Sequence, residues 1–533
     1  MAAKITDRMA GGVAAALAIC AAGFALMVRL RLLSMPLERD EGEFAYTAQL
    51  ICDGLSPFLA YNYKFPGVAY VYALFFTLFG QTPEAVRLAL LTANFVASVL
   101  LYLLARRLLG SLAAGAAAAA YVLLSLDPSV LGNAAHTTQF VTCFALGGLL
   151  LLDLGTARGG WGWLFGSGLL LGLAMMMKQH AALLLPMAWG LAWYRRRDER
   201  QAWLRTGMPL LAGLALPCLV LLGLVLLQGV WPIFWRWTIV YAHGATGTIG
   251  PGQAWSALAS AATSLNAYFW PVWCLAGVGL LSLYRPLPRA GARCFLVLFT
   301  AAALASAMPG FYFRPHYFVP FLAAIALLAG SGTDALRRMF ARTPLRPVAG
   351  LLALVLLAAG LTWGVSANWS YYVSASPEFI AKQLYGENPF VESPIVAELI
   401  NKRTLRSDRI AVLGSEAQLY FYSDRRAATG YIYTYGLVAG RRHNLTMQAE
   451  MQREIEAAAP RIIVFADSSS SWCFPDRTEQ PFFRWAAAFL RSHYLLIGLV
   501  DILPGGPMFV WGEPALSYVP KSPSRLFIYE RRY

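Results

Sequence analysis

The densest group of side chains able to do acid–base chemistry lies within residues 38–43. Glu38, Asp40, Glu41 and Glu43 place four carboxylates in six consecutive positions. Carboxylates held this close repel one another, and burial or proximity raises the pKa of some of them toward that of a working base. Such a cluster also attracts a divalent cation. We take this segment as a candidate catalytic site, whereas the plainer interpretation is a solvated loop.

The loop that carries these carboxylates continues through residues 61–67, which read Tyr-Asn-Tyr-Lys-Phe-Pro-Gly. The carboxylates and Lys64 are therefore expected on one short hairpin at a membrane surface. Charged groups are tolerated at that depth because they avoid the hydrocarbon core and still face a substrate held in the membrane.

The composition explains why a membrane surface is the expected setting. Of the 533 residues, 58% are hydrophobic and only 13% are charged, whereas a soluble globular chain carries roughly 25% charged residues. This excludes a soluble cytosolic enzyme, a disordered chain and a nucleic-acid binder. Most of the Lys and Arg residues behind the net charge of +15 lie at the ends of apolar runs, where they set membrane orientation.

Apolar runs long enough to cross a bilayer core of about 30 Å recur from residue 10 to residue 366. When every basic cluster is assigned to the cytoplasmic side, two spans separate each neighbouring pair of clusters. The pattern predicts an α-helical polytopic membrane protein with about 11 transmembrane helices, at 10–30, 84–105, 112–126, 139–156, 161–177, 181–194, 209–229, 263–284, 294–308, 317–332 and 347–366. The run 66–79 is too short to span, and we expect it to lie on the outer surface.

The character of the chain changes after residue 369. Segments 409–414 and 461–465 are short runs rich in Ile and Val, typical of buried strands, while 447–458 and 482–494 favour helices. We therefore predict a transmembrane domain at residues 1–369 and a soluble α/β domain at 370–533. The N-terminus is expected in the cytoplasm and the C-terminal domain outside it.

The cysteines do not form a disulfide framework. Only Cys52 and Cys473 fall in polar segments, and they could pair if both face an oxidising compartment. Spacing alone leaves that pairing open.

Other polar groups are expected on the outer face. Lys178 and His180 interrupt two apolar runs, where the cost of burying charge favours a site role. Arg314 and His316, framed by aromatic residues, could clamp a phosphate, or they belong to an interfacial aromatic belt. Arg87 either snorkels to lipid headgroups or contacts an anionic lipid phosphate.

Several of these motifs together resemble a known family. They are Arg39-Asp40-Glu41 after the first span, Lys64-x-Pro66-Gly67 at a surface helix, Arg87 opening the second span and the segment 102–107 closing it. This arrangement resembles the GT-C glycosyltransferases, and more closely the bacterial relatives of protein O-mannosyltransferases and lipid A aminoarabinose transferases (glycosyltransferase 39/83 type). Segments 385–390 and 412–416 resemble the C-terminal domain of a bacterial subgroup of that family.

The resemblance implies inverting transfer of a sugar from a polyprenyl-phosphate donor to an envelope lipid, glycan or protein, at the outer face of the bacterial inner membrane. The position that matches the family's catalytic acid, as general base or orienter of the acceptor hydroxyl, is Asp40, with Glu41 beside it in the motif. Lys64 matches the phosphate-side lysine, although a lysine that only caps a surface helix is an equally good interpretation.

The chain departs from the family before the fourth span. Many relatives carry a further acidic residue there, but residues 133–139 read Asn-Ala-Ala-His-Thr-Thr-Gln. Either His136 substitutes as proton acceptor or metal ligand, or the loop only packs around the donor. A divalent cation is thus possible but not required by the sequence.

Two other function classes fit many spans with few charges. One is a secondary transporter or lipid-linked sugar flippase, and the other is a non-catalytic subunit of an envelope-polymer assembly. The sequence shows no inverted repeat, and its carboxylates collect at a surface rather than at mid-span depth. Both features favour the transferase.

Overall fold

The structure is a computed structural model that describes residues 2–196, 202–245, 249–285, 287, 291–438, 444–472 and 481–532. Up to Ala367 the described chain is helical. Its helices, in chain order, are α1 Ala2–Arg31, α2 Arg39–Cys52, α3 Gly67–Phe79, α4 Pro83–Leu109, α5 Ser111–Leu124, α6 Thr137–Arg158, α7 Trp161–Met177, α8 Leu185–Arg196, α9 Ala202–Leu227, α10 Trp231–Phe234, α11 Ala242–Ala245, α12 Pro251–Asn266, α13 Trp270–Ser282, α14 Ala292–Ala305, α15 Val319–Phe340 and α16 Ala349–Ala367.

Six helical segments of the described chain are long and apolar enough to cross a membrane, at 8–31, 83–109, 137–158, 204–227, 315–340 and 346–367. Helices α3, α5, α7 and α14 are apolar but shorter. The chain is therefore a multi-pass membrane protein. The number of about 11 spans stays a prediction.

One expected span is interrupted. Residues 263–284 were predicted as one continuous helix, but α12 ends at Asn266, α13 begins at Trp270 and the two are bent by 103°. Pro271 at the start of α13 is the physical reason, because proline is tolerated in the first turn of a helix but cannot continue one.

Two short 3-10 or π segments also break the regular pattern. The predicted span 181–194 begins as a 3-10 helix, Gln179–Leu184, before α8. A π-helix at Trp235–Tyr241 follows α10. Both segments lie at the end of the bundle that carries the candidate site.

The segment after residue 367 contains a mixed sheet. In the described part of this segment the strands are β1 Arg409–Leu413, β2 Arg426–Ala427, β3 Ile462–Asp467, β4 Tyr494–Asp501, β5 Met508–Trp511 and β6 Arg525–Arg531. Their order is β2-β1-β3-β6-β4-β5, with β1 parallel to β2 and β3 and the other pairs antiparallel. Strand β1 is buried at four of its five positions, as expected for a central strand.

Helices flank this sheet and connect its strands: α17 Pro377–Tyr385, α18 Ser393–Arg403, α19 Gln418–Ser423, α20 Tyr435–Val438, α21 Asn444–Ala458, α22 Ser469–Trp472, α23 Pro481–His493 and α24 Pro514–Ser517. The predicted strands at 409–414 and 461–465 and the predicted helices at 447–458 and 482–494 all coincide with elements of the same type. A small C-terminal sheet domain, as predicted, is therefore present.

The sheet domain packs against the membrane helices through aromatic and glycine contacts. Tyr61 stacks on Trp237 with ring centroids 5.1 Å apart, and both rings meet the edge of Tyr431. A methyl group at Gly430 would lie 2.6 Å from the ring of Tyr61. Arg236 also forms a two-point ion pair with Glu450, at 2.6 and 3.0 Å.

The opposite end of the bundle carries a separate charged group. Asp153 of α6 is fully buried, and Arg107 and Arg195 each donate to one of its carboxylate oxygens at 2.6 Å. Because Arg87 opens α4 and Arg107 closes it, at 1.5 Å per residue the two ends are about 30 Å apart, close to the thickness of a bilayer core.

Candidate active site

Residues 38–43 form the start of a helix rather than the predicted loop. Glu38 is the N-cap of α2: its carboxylate accepts from the backbone N–H of Glu41 at 2.8 Å, and the Glu41 carboxylate accepts from the N–H of Glu38 at 3.2 Å. This reciprocal pair satisfies two backbone donors that a helix start leaves free. Asp40 thereby lies in the first turn, where the helix dipole favours a negative charge.

Asp40 and Glu43 share one lysine. The Lys64 ammonium donates to Asp40 Oδ1 at 3.1 Å and to Glu43 Oε2 at 2.6 Å. Asp40 and Glu43 stand three positions apart, and on a helix that spacing puts both on one face. The predicted grouping of Lys64 with the carboxylates is thus present, although Glu43 rather than Glu41 completes it.

The carboxylates of this group have different proton affinities. Burial by itself would raise the pKa of Asp40, but the charge of Lys64 holds it well below its usual range. Burial, followed by the charge of Asp40, raises the pKa of Glu38 to about 8, and burial raises the pKa of Glu43. Between its two carboxylate partners, the pKa of Lys64 rises well above its ordinary value despite burial. At neutral pH, Asp40 and Lys64 are therefore charged, whereas Glu38 holds a proton more tightly than an ordinary glutamate does.

The second oxygen of Asp40 faces a pair of histidines. His136 and His316 stack with ring centroids 4.1 Å apart and an interplanar angle of 7°, and His136 Nδ1 lies 3.9 Å from Asp40 Oδ2. Burial lowers the pKa of His136 to about 4, so this imidazole is neutral at pH 7. Its Nε2 is buried without a hydrogen-bond partner.

These three residues also fit a divalent cation. One ligand atom from each of Asp40, His136 and His316 lies within 4.8 Å of the other two. Two neutral imidazoles and a carboxylate are a common set of zinc ligands in sites that keep an open position. The gap of 3.9 Å between His136 and Asp40 is too long for a hydrogen bond, whereas ligands of one cation are commonly more than 3 Å apart.

Two further predicted cations line the open side of the site. The Lys178 ammonium lies 3.5 Å from the centre of the Tyr317 ring. Burial, opposed by the charge of Asp40 and helped by the charges of Lys64 and Arg314, lowers its pKa to about 7. Arg314 is exposed, and among the described residues neither Lys178 nor Arg314 forms an ion pair with a carboxylate.

His180 lies beside this pair. Its ring is 6.3 Å from that of Tyr317, and its Nδ1 is buried without a hydrogen-bond partner. The structure therefore brings the predicted residues Lys178, His180, Arg314 and His316 to the same wall, with Tyr317 at its centre.

Glu41 and Arg87 are placed differently from the other predicted residues. Glu41 is 1% exposed and Arg87 is 2% exposed. The Glu41 carboxylate accepts from Arg87 and from the backbone N–H of Ala135. Arg87 also donates to the Asn133 carbonyl at 2.9 Å, so it reaches neither headgroups nor the open side of the site.

The sequence marks Glu43 as one of the four carboxylates but does not predict that it shares Lys64 with Asp40. Only a helix at this segment puts the two side chains on one face. Tyr433, whose ring centre is 5.4 Å from the Lys64 ammonium, comes from the C-terminal domain, 369 positions away in the chain, and no local pattern marks it. Cys473, whose pairing with Cys52 the sequence leaves open, lies outside the described residues.

Comparisons with known proteins bear on this geometry. Residues 63–228 match the family model described as dolichyl-phosphate-mannose-protein mannosyltransferase. No curated protein sequence matches the chain.

Solved structures share the architecture over nearly the whole chain. ArnT from Cupriavidus metallidurans bound to undecaprenyl phosphate is similar with a TM-score of 0.63 and 15% identity, covering 96% of this chain and 97% of ArnT. The archaeal oligosaccharyltransferase AglB from Archaeoglobus fulgidus, in complex with an inhibitory peptide and a dolichol-phosphate, is similar with a TM-score of 0.52 and 12% identity, covering 95% of this chain and 74% of AglB.

At such identities the similarity establishes the fold. The predicted GT-C fold is therefore confirmed, and residues 63–228 are similar to the protein mannosyltransferase family model.

Proposed function

We propose that this protein is an inverting glycosyltransferase that moves a sugar from a polyprenyl-phosphate donor to an acceptor hydroxyl at the membrane surface. The observation that carries the proposal is the half-satisfied carboxylate of Asp40. Its Oδ1 is bonded to Lys64, while its Oδ2 faces the histidine pair and the open side of the site. The donor class is supported by two proteins of the same fold, ArnT and AglB, which hold undecaprenyl phosphate and dolichol-phosphate.

The donor phosphate is assigned to the wall formed by Lys178 and Arg314. Both are cations without a carboxylate partner among the described residues, and they lie close enough to Asp40 for its charge to act on their pKa values. Positive charge fixed beside a leaving phosphate stabilises the negative charge that develops as the bond to the sugar breaks. The predicted phosphate role of Lys64 is retained as a second contact.

Asp40 is assigned to the acceptor. As the acceptor oxygen forms its bond to the anomeric carbon and the bond to the lipid phosphate breaks, the hydroxyl proton passes to a group within hydrogen-bond reach. A carboxylate whose pKa is far below neutral is a weak base, and Lys64 is the cause of that weakness. Arrival of the donor phosphate gives the Lys64 ammonium another anion, and the pKa of Asp40 then rises toward the range of a working base.

Glu41 and Arg87 are assigned a positioning part. Their buried ion pair ties the first turn of α2 to α4 and, through Ala135 and Asn133, to the loop that carries His136. A cation bound by Asp40, His136 and His316 would polarise the phosphate oxygens of the donor.

The expected location follows from the charge of the two ends. Arg106, Arg107, Arg158 and Arg195 lie at the end that is remote from Asp40, and an excess of Lys and Arg marks the cytoplasmic side. We therefore place the N-terminus in the cytoplasm and the active site with the C-terminal domain on the outer, periplasmic face of a bacterial inner membrane. A lipid, a glycan or a protein of the envelope is the acceptor.

The test is sugar transfer by the purified protein in lipid nanodiscs, with radiolabelled undecaprenyl-phosphate sugars as donors and an envelope extract as acceptor. Wild type is expected to move label to an acceptor and Asp40→Asn to move none. Asp53→Asn is the matched control, because Asp53 caps the other end of the same helix.

Two outcomes would overturn the proposal. Lipid-linked sugar that crosses a liposome membrane without transfer identifies a flippase. Transfer that is undiminished in Asp40→Asn removes the assigned base.

A further inference from the structure

One face of α2 is bound by the C-terminal domain. Arg39, Gly42, Tyr46 and Gln49 recur at spacings of three and four, so they form one stripe of the helix. The Tyr46 hydroxyl accepts from the Ala427 N–H at 2.9 Å, and the Gln49 amide donates to the Phe421 carbonyl at 3.1 Å. Asp40 and Glu43 lie on the neighbouring stripe and face the site.

Arg39 is the most fully bound residue of that stripe, and all the described hydrogen-bond partners of its guanidinium belong to the C-terminal domain. Nε donates to the carbonyl of Ser415 at 2.7 Å, Nη1 to the hydroxyl of Tyr435 at 2.6 Å, and Nη2 to Asn388 at 2.9 Å and to the carboxylate of Glu416 at 2.7 Å. The Glu416 side chain is fully buried and the Arg39 side chain is 10% exposed. The other carboxylate oxygen of Glu416 accepts from Gln418 at 2.7 Å.

Gly42 provides an independent sign that the two parts fit closely. A methyl group at this position would lie 2.6 Å from both the backbone nitrogen and the Cα of Gln418. Those atoms belong to the start of α19, which cannot move aside as a side chain can. The first turn of α2 and the first turn of α19 are therefore in backbone contact.

We infer that the C-terminal domain sets the position of the catalytic carboxylate, and that Glu416 is a positioning residue that acts on Asp40 through Arg39. The inference rests on the proposed function of Asp40 and gives the C-terminal domain a part in that reaction. Arg39 is the neighbour of Asp40 in the first turn, so a shift of its side chain rotates the carboxylate relative to Lys64 and the histidine pair.

The buried ion pair of Arg39 and Glu416 is expected to act as a unit. Removing one member of a buried ion pair leaves the other charge without a partner, which destabilises a protein strongly, whereas removing both members is much less harmful. Residues that act together give non-additive effects in a double-mutant cycle. The double-mutant cycle therefore distinguishes a positioning role, in which kcat stays low when stability is restored, from a purely structural role, in which both recover.

The first test is a cycle of Arg39→Gln, Glu416→Gln and the double variant in the transfer assay. Each single variant is expected to lower kcat at least tenfold, with the KM of the donor changed less than threefold, because the phosphate wall is untouched. The double variant should recover much of the thermal stability of wild type and none of its kcat. Recovery of kcat together with stability would overturn the inference and leave a purely structural ion pair.

A second readout does not depend on any activity. The N–H groups of Glu41 and Gly42 are bonded within the first turn of α2, at 2.8 Å each. Hydrogen exchange of the segment 38–44, followed by mass spectrometry, is expected to be at least tenfold faster in Glu416→Gln than in wild type. If wild type transfers no sugar, the proposed function fails. Hydrogen exchange still shows whether the Arg39–Glu416 ion pair stabilises the first turn of α2.

Arg236→Gln is the matched control. It breaks another ion pair between the membrane helices and the C-terminal domain, with Glu450, and should leave both kcat and exchange in 38–44 unchanged. Equal effects in Arg236→Gln and Glu416→Gln would show that docking in general matters and would overturn a specific role for Glu416.

A steric wedge tests the same idea without a change of charge. Gly42→Ala pushes α19 away from α2, so kcat should fall as in Glu416→Gln. Gly277→Ala adds the same methyl group to a membrane helix where no atom lies within 4 Å, and it should have no effect. Full activity of Gly42→Ala would contradict the inference.

Discussion

The two ends of the membrane bundle both bury ion pairs, but they use charge in opposite ways. At the basic end, Arg107 and Arg195 occupy both oxygens of Asp153, so that carboxylate has no oxygen left for a substrate. At the other end, Lys64 occupies one oxygen of Asp40 and leaves the second facing the histidines. A fully bonded carboxylate holds helices together, whereas a half-bonded one can do chemistry.

The same contrast applies to the cations. The arginines near Asp153 are matched to a carboxylate, whereas Lys178 and Arg314 near Asp40 have none among the described residues. Lys178 is partly buried, and an unmatched charge at such a position is costly and is kept mainly at functional sites. This difference distinguishes the two ends more sharply than their amino-acid composition does.

The largest expected effect comes from Asp40→Asn. Removing a positioned base commonly costs between a hundredfold and ten-thousandfold in rate, and we expect kcat to fall about 10³-fold. The variant should melt at the wild-type temperature, because Lys64 keeps Glu43 as a partner. Pre-steady-state transfer measurements and thermal unfolding in detergent check the two parts.

Asp153→Asn should lower the stability of the protein and leave its kcat nearly unchanged. It leaves Arg107 and Arg195 without their buried carboxylate, and the expected loss is about 3 kcal/mol of stability. The kcat of the protein that remains folded should stay within twofold of wild type. A large loss of kcat at unchanged stability would show that the basic end also takes part in the reaction.

His316→Ala tests the cation site. Wild type is expected to bind one Zn²⁺ per chain, and loss of one ligand should weaken that binding about 100-fold. Isothermal titration calorimetry with Zn²⁺ alone measures this. His180→Ala removes a neighbouring imidazole outside the group of three and should leave the affinity unchanged, so equal losses in both variants would contradict the assignment.

A smaller effect is expected from pH. Burial lowers the pKa of Lys178 to about 7, so its ammonium is charged below that pH and neutral above it. The kcat/KM for the donor should therefore fall about tenfold for each pH unit above 7. Lys178→Arg stays charged over this range and should remove the decline, whereas an unchanged profile would exclude Lys178 as a phosphate ligand.

Much of the fold was predictable because apolar runs and strand patterns are local. The predicted helices at 10–30 and 84–105 and the strands at 409–414 and 461–465 depend on neighbours in the chain, and all are present. The break between α12 and α13 was missed because apolarity continues across Asn266 to Trp270 and hides it. The charges of segment 38–43 predict a loop, because they outweigh the capping pattern of Glu38 and Glu41.

The site was predictable residue by residue but not as an arrangement. The sequence predicts five site residues that the structure brings together: Asp40, Lys64, His136, Lys178 and His316. Two features of the arrangement depend on contacts between distant segments. Glu41 is bonded to Arg87, and Lys64 is shared between Asp40 and Glu43. The ion pair between Arg39 and Glu416 joins residues 377 positions apart, and no local sequence pattern predicts it.

The lysine shared between Asp40 and Glu43 has a consequence for the order of events. Until another anion competes for its ammonium, Lys64 keeps Asp40 too weak a base to take a proton from any hydroxyl, including that of water. The enzyme is thereby protected from hydrolysing its own donor, because deprotonation waits until the lipid phosphate has arrived. We expect an ordered reaction in which the donor binds first and the acceptor second.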